Sequence, residues 1–306
     1  MIICVQGYWA KWAYIAAQNM HIPIINTDHN AWERPDYAPM PKLSYQDKFL
    51  DDKNYDAVTV LTDADKKYIG DTLKNIFVLP NPLTYTPVKI PPSKEKIILA
   101  AGRLSVWASK GFDLLIKAWG KIAKENSDWR LYIAGTGAVK DVEFLSNLAK
   151  ENNVFDRIVF PGFVDMLPLY QKASIFVLSS RYEGFGMVLT EAMSQGCACI
   201  ACDYKGRQSE IITKENEGIT IPVDDIDAIA TAINKLTHDD ILRNKLQIGA
   251  IERSHYFSVD NTMKRWNNQD FIGIILPRQK KKHGILVWKL EKTVLLEHVI
   301  GVVNRT

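Results

Sequence analysis

What this chain lacks narrows its class before any motif is considered. No apolar run reaches the roughly 18 residues that a bilayer-spanning helix requires. The opening Met1-Ile2-Ile3-Cys4-Val5-Gln6 has neither a basic n-region nor a cleavage site, so the expectation is a cytoplasmic protein. Cysteine is scarce, and Cys4, Cys197, Cys199 and Cys202 lie in or beside apolar stretches without the paired spacing of a secreted scaffold, which fits a reducing compartment. The last three lack an obvious fourth ligand nearby, and small buried cysteines behave as hydrophobes, so a metal cluster is not expected. An excess charge of one sign is also missing: the net charge of +3 gives no reason to invoke nucleic acid. No internal repeat is present. No Asp-x-Asp metal motif stands in a suitable place, since Asp51-Asp52 and Asp239-Asp240 lack the spacing and Asp63-Ala64-Asp65 opens a predicted helix. No side chain stands out as an enzymic nucleophile.

What is present reads as alternating strands and helices. A length of 306 residues, 47% of them apolar, suggests about two domains with a sizeable core in each. Strands are expected at 22–27, 57–62 and 75–80, with a helix over 63–73 capped by an aspartate, making a small, incomplete α/β unit. The proline-rich stretch 81–93 should be extended, because proline sets its own φ and biases its predecessor away from helix. It reads as an interdomain linker. Beyond it, strands at 96–102, 130–135, 157–161, 198–200 and 218–221 alternate with helices at 112–126, 141–152 and 226–236. That alternation implies parallel βαβ units and a doubly wound domain. The expected boundaries are a partial first domain over 1–85, a second over 86–268, and an unassigned basic and apolar tail over 269–306.

The most informative stretch runs from Ser180 to Gly196. The apolar strand from Ala173 to Ser179 leads into it, so the turn should lie at a strand's carboxyl end, where open parallel sheets bind ligands. Gly184 and Gly186 allow close backbone approach, and the helix that follows aims free N–H groups and its positive end at an anion. This is a phosphate seat flanked by two acceptor-only carboxylates, Glu183 and Glu191, which suits a ligand with hydroxyls on both sides of its phosphate, such as a nucleotide sugar. Arg103 and Lys110 would supply cations where charge grows on a departing diphosphate, although each read alone is an ordinary surface cation.

With Gly184-Phe185-Gly186 inside it, the spacing from Glu183 to Glu191 resembles the donor-binding signature of the retaining GT-B glycosyltransferases of family 4. Other segments similar to that family follow in order: Ala101-Gly102-Arg103-Leu104, Lys110 to Ala118, Ile133 to Gly137, Val159 to Val164, Gly196 to Ile200, and Ser209-Glu210-Ile211-Ile212. The resemblance covers roughly residues 15 to 268. It implies two Rossmann-like domains, with Glu183 accepting from hydroxyls of the transferred sugar and Glu191 from those of the ribose. It further implies that the N–H groups of Phe185, Gly186, Met187 and Val188 cradle sugar and phosphate, and that the base lies against the backbone of Gly162, Phe163 and Val164. His29, just beyond a strand end, resembles the family's histidine facing the donor sugar across the interdomain cleft, where it would help stabilise an oxocarbenium-like transition state. The family's reaction keeps the anomeric configuration, with the donor phosphate taking the acceptor's proton.

Two departures qualify this. His29 falls almost at the start, so much of the acceptor-side domain is expected to be missing. Residues 257–266 resemble the family's closing helix, which packs back on the first domain, but nothing familiar follows, and the basic cluster Arg278 to His283 is of a kind that touches anionic membrane surfaces. The expected function is metal-independent transfer of a hexose or N-acetylhexosamine, most simply from a UDP-sugar, to a surface-glycan or lipid-linked acceptor at the inner face of a membrane. No cofactor beyond the donor substrate is expected. The competing readings are an inactive nucleotide-sugar-binding fragment serving a partner subunit, and a related nucleotide-sugar epimerase.

Overall fold

The computed structural model describes residues 2–5, 7–17, 20, 22–35 and 52–267. Two parallel sheets organise them. The first contains β1 (Ile2–Val5), β2 (Ile24–Thr27), β3 (Ala57–Val60) and β4 (Ile76–Val78) in that spatial order, with α1 (Gly7–Ala17) and α2 (Asp63–Ile69) as connections. The second contains β5 (Glu95–Ala101), β6 (Arg130–Ala134), β7 (Ile158–Val159), β8 (Ala173–Leu178), β9 (Ala198–Cys202) and β10 (Ile219–Ile221). Their longer helices are α3 (Phe112–Ile122), α4 (Val139–Glu151), α5 (Met166–Lys172), α6 (Met187–Ser194), α7 (Ile226–His238), α8 (Asp240–Ser254) and α9 (Val259–Trp266), and a single helical turn spans Trp107–Lys110. The spatial order β10-β9-β8-β5-β6-β7 is the doubly wound order 3-2-1-4-5-6 read from its far edge. It changes direction between β5 and β8, and that crevice is where such sheets hold ligands.

Strand β8 is buried at all six positions, as expected of a central parallel strand covered on both faces. Its side chains alternate: Ile175 and Val177 join Leu115 and Trp119 of α3, whereas Phe176 and Leu178 join Leu189 and Met193 of α6. Burying a side chain of this size contributes about 1.5–3 kcal/mol, and the two faces together anchor the switch point rigidly.

Two sequence expectations change. The helix expected over 63–73 ends at Ile69, because Gly70 leaves it at φ 56°, and a 3-10 turn follows over Gly70–Thr72. Its cap is Thr62 rather than an aspartate: the extended Thr62 backbone lets its hydroxyl accept from the Asp65 N–H. The proline-rich stretch carries no helix or strand, yet it is packed down rather than loose. The Leu83 N–H donates to the Phe257 carbonyl at 2.8 Å and the Val88 N–H to the Ser194 carbonyl at 2.9 Å. The closing helix does reach the first sheet, where Trp266 of α9 packs against Ile25, Ala57 and Leu79. The expectation for Arg278 to His283 falls outside the described residues.

Candidate functional site

The site forms where β5 and β8 end. Beyond β8, Ser179 and Ser180 lead into the turn at Gly184–Gly186, and Gly186 takes φ 87° to start α6. An L side chain there would be strained, so glycine is required by the geometry. Leu189 N–H closes back on the Gly186 carbonyl at 2.9 Å, while the N–H groups of Phe185, Gly186, Met187 and Val188 make no backbone hydrogen bond among the described residues. These are the orphan donors of a helix start, and with the helix dipole they favour an anion. Phe185 turns its ring inward onto Phe257, with centroids 5.6 Å apart, so its contribution to a ligand is its backbone.

Lys110 is carried to this turn by the segment after β5. Its stem lies over Gly102, where an added Cβ would stand 3.3 Å from Lys110 Cδ and Cε, and its Nζ reaches Glu183 Oε1 at 2.5 Å. The Ser180 hydroxyl donates to the same oxygen at 2.9 Å. The approach needs Gly111, whose φ of 64° and tight contact with the Ser179 carbonyl leave no room for a side chain. Arg181 bolts the same loops from behind, donating to both carboxylate oxygens of Asp113 at 2.7 and 2.8 Å and to Asp224. Pairing with Asp113 raises its pKa further, so this cation is permanent.

The other expected residues are placed as follows. Arg103 is exposed just past β5; its carbonyl accepts from the Val106 N–H at 3.3 Å, and its guanidinium makes no hydrogen bond or ion pair among the described residues. Gly162, Phe163 and Val164 follow β7; the Gly162 carbonyl accepts from the Gly135 N–H at 2.9 Å, and Phe163 is 87% exposed. Glu191 is buried and turned toward the linker, with Oε1 accepting from Thr84 Oγ1 at 2.8 Å and Oε2 from the Tyr170 hydroxyl at 3.0 Å. Burial raises its pKa, against the opposing effect of those two hydrogen bonds. Each oxygen retains a second lone-pair site for a further donor.

His29 stands across the seam. An added Cβ on Gly184 would meet the backbone of His29, Asn30 and Ala31 at 3.1–3.2 Å, so the close approach at Gly184 is to the first sheet's loop. His29 Nδ1 lies 2.7 Å from Asn81 Oδ1. Because the partner is a carbonyl oxygen, Nδ1 is assigned as the donor and Nε2 as a lone-pair acceptor. Burial lowers the His29 pKa, which keeps the ring neutral near pH 7. A neutral ring suits a hydroxyl partner, and any transition-state stabilisation it gives would come through hydrogen bonding rather than charge.

Several contributors were not anticipated: Ser180, Arg181, Asn81, Thr84, Tyr170, and the Arg207 and Glu210 contacts to the first sheet. Asn81 sits before a proline in the apparent linker. Glu210 sits in the family-like segment Ser209-Glu210-Ile211-Ile212, to which no role was assigned. The four cysteines are buried in the described structure, and Cys199 shows a strongly raised thiol pKa through burial.

Comparison with known proteins adds four findings. The family model described as glycosyl transferases group 1 matches residues 85–253. An uncharacterised glycosyltransferase of Haemophilus influenzae is 27% identical over 269 residues, covering 87% of this chain and 74% of that protein. The N-acetylgalactosamine-N,N'-diacetylbacillosaminyl-diphospho-undecaprenol 4-alpha-N-acetylgalactosaminyltransferase of Campylobacter jejuni is 32% identical over 165 residues, covering 54% of this chain and 43% of that protein. Among solved structures, an S. aureus TarM mutant with fondaparinux, alpha-GlcNAc-glycerol and UDP has a TM-score of 0.71 at 23% identity, covering 82% of this chain and 51% of TarM. The fold is therefore GT-B, and the chain spans between 43% and 74% of these proteins' lengths.

Proposed function

The chain belongs to the glycosyl transferases group 1 family, and from that premise we propose that it transfers a hexose or N-acetylhexosamine, with retention, from a UDP-sugar to a glycan or lipid-linked glycan acceptor. The observation that carries this reading is the joint placement of Lys110, Glu183 and the α6 N-terminus at the β5/β8 crevice. Lys110 has three N–H donors and spends one on Glu183, leaving two for phosphate oxygens. Glu183 Oε1 is occupied by Lys110 and Ser180, while Oε2 has no protein partner among the described residues and faces the role of sugar-hydroxyl acceptor.

In the proposed step the bond between the anomeric carbon and the diphosphate oxygen breaks, and the acceptor oxygen forms its bond to the same face of the sugar. The acceptor's proton passes to a donor phosphate oxygen, leaving UDP and the glycosylated acceptor. Charge grows on the diphosphate as it departs, so fixed cations and N–H dipoles there stabilise the transition state more than the ground state. Lys110, Arg103 and the α6 N–H groups fill that role in this reading, and it therefore requires no divalent metal. His29 would accept from a sugar hydroxyl through Nε2. The UDP bound to TarM and the lipid-linked acceptor named for the C. jejuni relative support these choices of donor and acceptor.

Calorimetric titration with UDP, GDP and ADP, in chelator and without added metal, tests the reading directly. Selective UDP binding, weakened in Arg103→Ala and Lys110→Ala, is expected. Absence of binding by a folded chain would remove the donor-site assignment. UDP binding without any acceptor-dependent turnover would instead favour a binding module, and donor consumption without acceptor would favour an epimerase.

A further inference from the structure

The loop after β9 touches both sheets' units. It is braced internally: Asp203 Oδ1 accepts from the N–H groups of Gln208 and Ser209 at 2.9 and 3.2 Å, Asp203 Oδ2 accepts from the Ser209 hydroxyl at 2.6 Å, and Gln208 Oε1 accepts from the Tyr204 N–H at 2.8 Å. From this frame Glu210 reaches across the seam. Its Oε2 accepts from the Asp63 N–H and its Oε1 from the Ala64 N–H, each at 2.7 Å. Those are the first two N–H groups of α2, so a carboxylate of the second unit satisfies two orphan donors of a helix in the first and meets its positive dipole end.

Helix α2 in turn holds the His29 segment. Asp65 Oδ1 accepts from the Trp32 N–H at 2.7 Å, which ties the loop carrying His29, Asn30 and Ala31 to α2. Arg207 Nη2 pins the same Asp65 oxygen at 2.6 Å, both side chains being wholly buried. Arg207 Nε and Nη1 have no hydrogen-bond partner among the described residues, and beyond Asp65 the guanidinium gains only a cation–π contact with the Tyr204 ring, 5.2 Å from its centroid, so this ion pair carries a desolvation cost that its contacts offset poorly. Such a pair is better suited to specifying one arrangement than to stabilising the fold. Tyr204 adds a hydrogen bond from its hydroxyl to the Glu33 carbonyl at 3.0 Å, and Lys205 pairs with Glu33 at 3.2 Å. On the far side of the same contact, the His29–Ala31 backbone rests against Gly184 of the signature turn.

We propose that Glu210 is a positioning residue for transfer: by capping α2 it holds the His29 segment at a set separation from the Gly184–Gly186 turn. The line of action runs from Glu210 to α2, through Asp65 to the Trp32 N–H, and so to His29. The inference rests on the reading of Lys110, Glu183 and the α6 N-terminus as the donor seat. Glu210 touches none of those residues, so its loss should impair the rate of transfer and spare nucleotide binding. Being half-buried at the seam, unlike Arg207, it can be replaced without stranding a buried charge.

The test compares wild type with Glu210→Ala and Glu210→Gln by three measurements: amide hydrogen exchange, UDP calorimetry, and UDP release from UDP-glucose and UDP-N-acetylglucosamine with water as acceptor. In Glu210→Ala, exchange over 63–69 and 29–34 should rise at least about tenfold while 112–122 stays unchanged. The UDP Kd should stay within about twofold, and kcat should fall at least about tenfold with donor KM nearly constant. Glu210→Gln retains one acceptor oxygen and should lie between. Unchanged exchange at α2, or a loss of UDP affinity equal to the loss of turnover, would overturn the proposal. So would faster exchange at 112–122 as well, which would mark Glu210 as merely stabilising. If wild type fails to bind UDP, the donor-site reading falls, while exchange at α2 still decides whether Glu210 caps that helix.

Discussion

Gly111→Ala is the sharpest probe of how the site is built. Gly111 sits in the left-handed region at φ 64°, ψ 24°, which costs an alanine about 1–2 kcal/mol. Its new Cβ would also stand 1.9 Å from the Ser179 carbonyl oxygen and 2.8 Å from the carbonyl carbon. That oxygen directly follows a wholly buried strand, and its neighbourhood is fastened twice: Ser179 Oγ donates to the Lys110 carbonyl at 2.9 Å, and the Arg181 N–H donates to the Ser109 carbonyl at 2.9 Å. Relief therefore requires one backbone to move by more than 1 Å, and overpacking of this kind costs about 1–3 kcal/mol. The sum is about 2–5 kcal/mol, or a Tm lowered by about 5–15 °C for a domain of this size. The movement separates Lys110 from Glu183, so UDP affinity should fall as well. Gly162→Ala is the matched control: its φ is 76°, but nothing lies within 4 Å of the added Cβ, so only the conformational part should appear. Thermal denaturation and UDP calorimetry of both variants read the difference. Equal Tm values for Gly111→Ala and Gly162→Ala would refute the close-packing argument.

Lys110→Met should weaken UDP binding by about 10- to 100-fold, the equivalent of one charge-assisted hydrogen bond; undiminished affinity in calorimetry would remove Lys110 from the donor seat. Burial lowers the His29 pKa below its ordinary value of 6.5, so as pH falls below that value the unfolded chain takes up the proton first and binds more protons than the folded one. The stability that neutral His29 contributes is thus complete above that pH and is lost as pH falls toward the folded value; urea midpoints of wild type and His29→Gln should converge on acidification, and a pH-independent gap would contradict this. Arg181→Ala strands the carboxylate of Asp113, which is 9% exposed, and should cost on the order of 2–3 kcal/mol in urea unfolding, at or below the range for a fully buried pair because Arg181 retains some solvent. An Arg181→Ala,Asp113→Asn double variant should recover part of that loss.

Much of this protein is legible locally. The strand at 173–178, the glycine turn and α6 are consecutive in the chain, and their apolar run, punctuation and spacing each point the same way. The same holds for β5, a short continuous apolar run buried from Ile97 to Ala101, and for α3, whose apolar face repeats at the period of a helix. Helix α1 is harder to read, because Gly7 to Ala17 is apolar nearly all round and periodicity does not separate helix from strand there. The cap of α2 was misassigned by one residue because Thr62 and Asp63 are both good caps, and only the Thr62 backbone conformation decides between them.

The sequence by itself determined the doubly wound class, the glycine turn at the end of β8 and the carboxylates beside it, because those depend on residue type and short spacing. It did not determine what each carboxylate touches. Glu183 meets Lys110 73 residues away, Glu191 turns to Thr84 107 residues away, and Glu210 caps a helix 146 residues away. Such pairings depend on β5 lying beside β8 and on how the two sheets' units meet. Nothing in local pattern encodes them; they come from burying both faces of a central sheet at once, which leaves only one arrangement of the loops at its carboxyl edge.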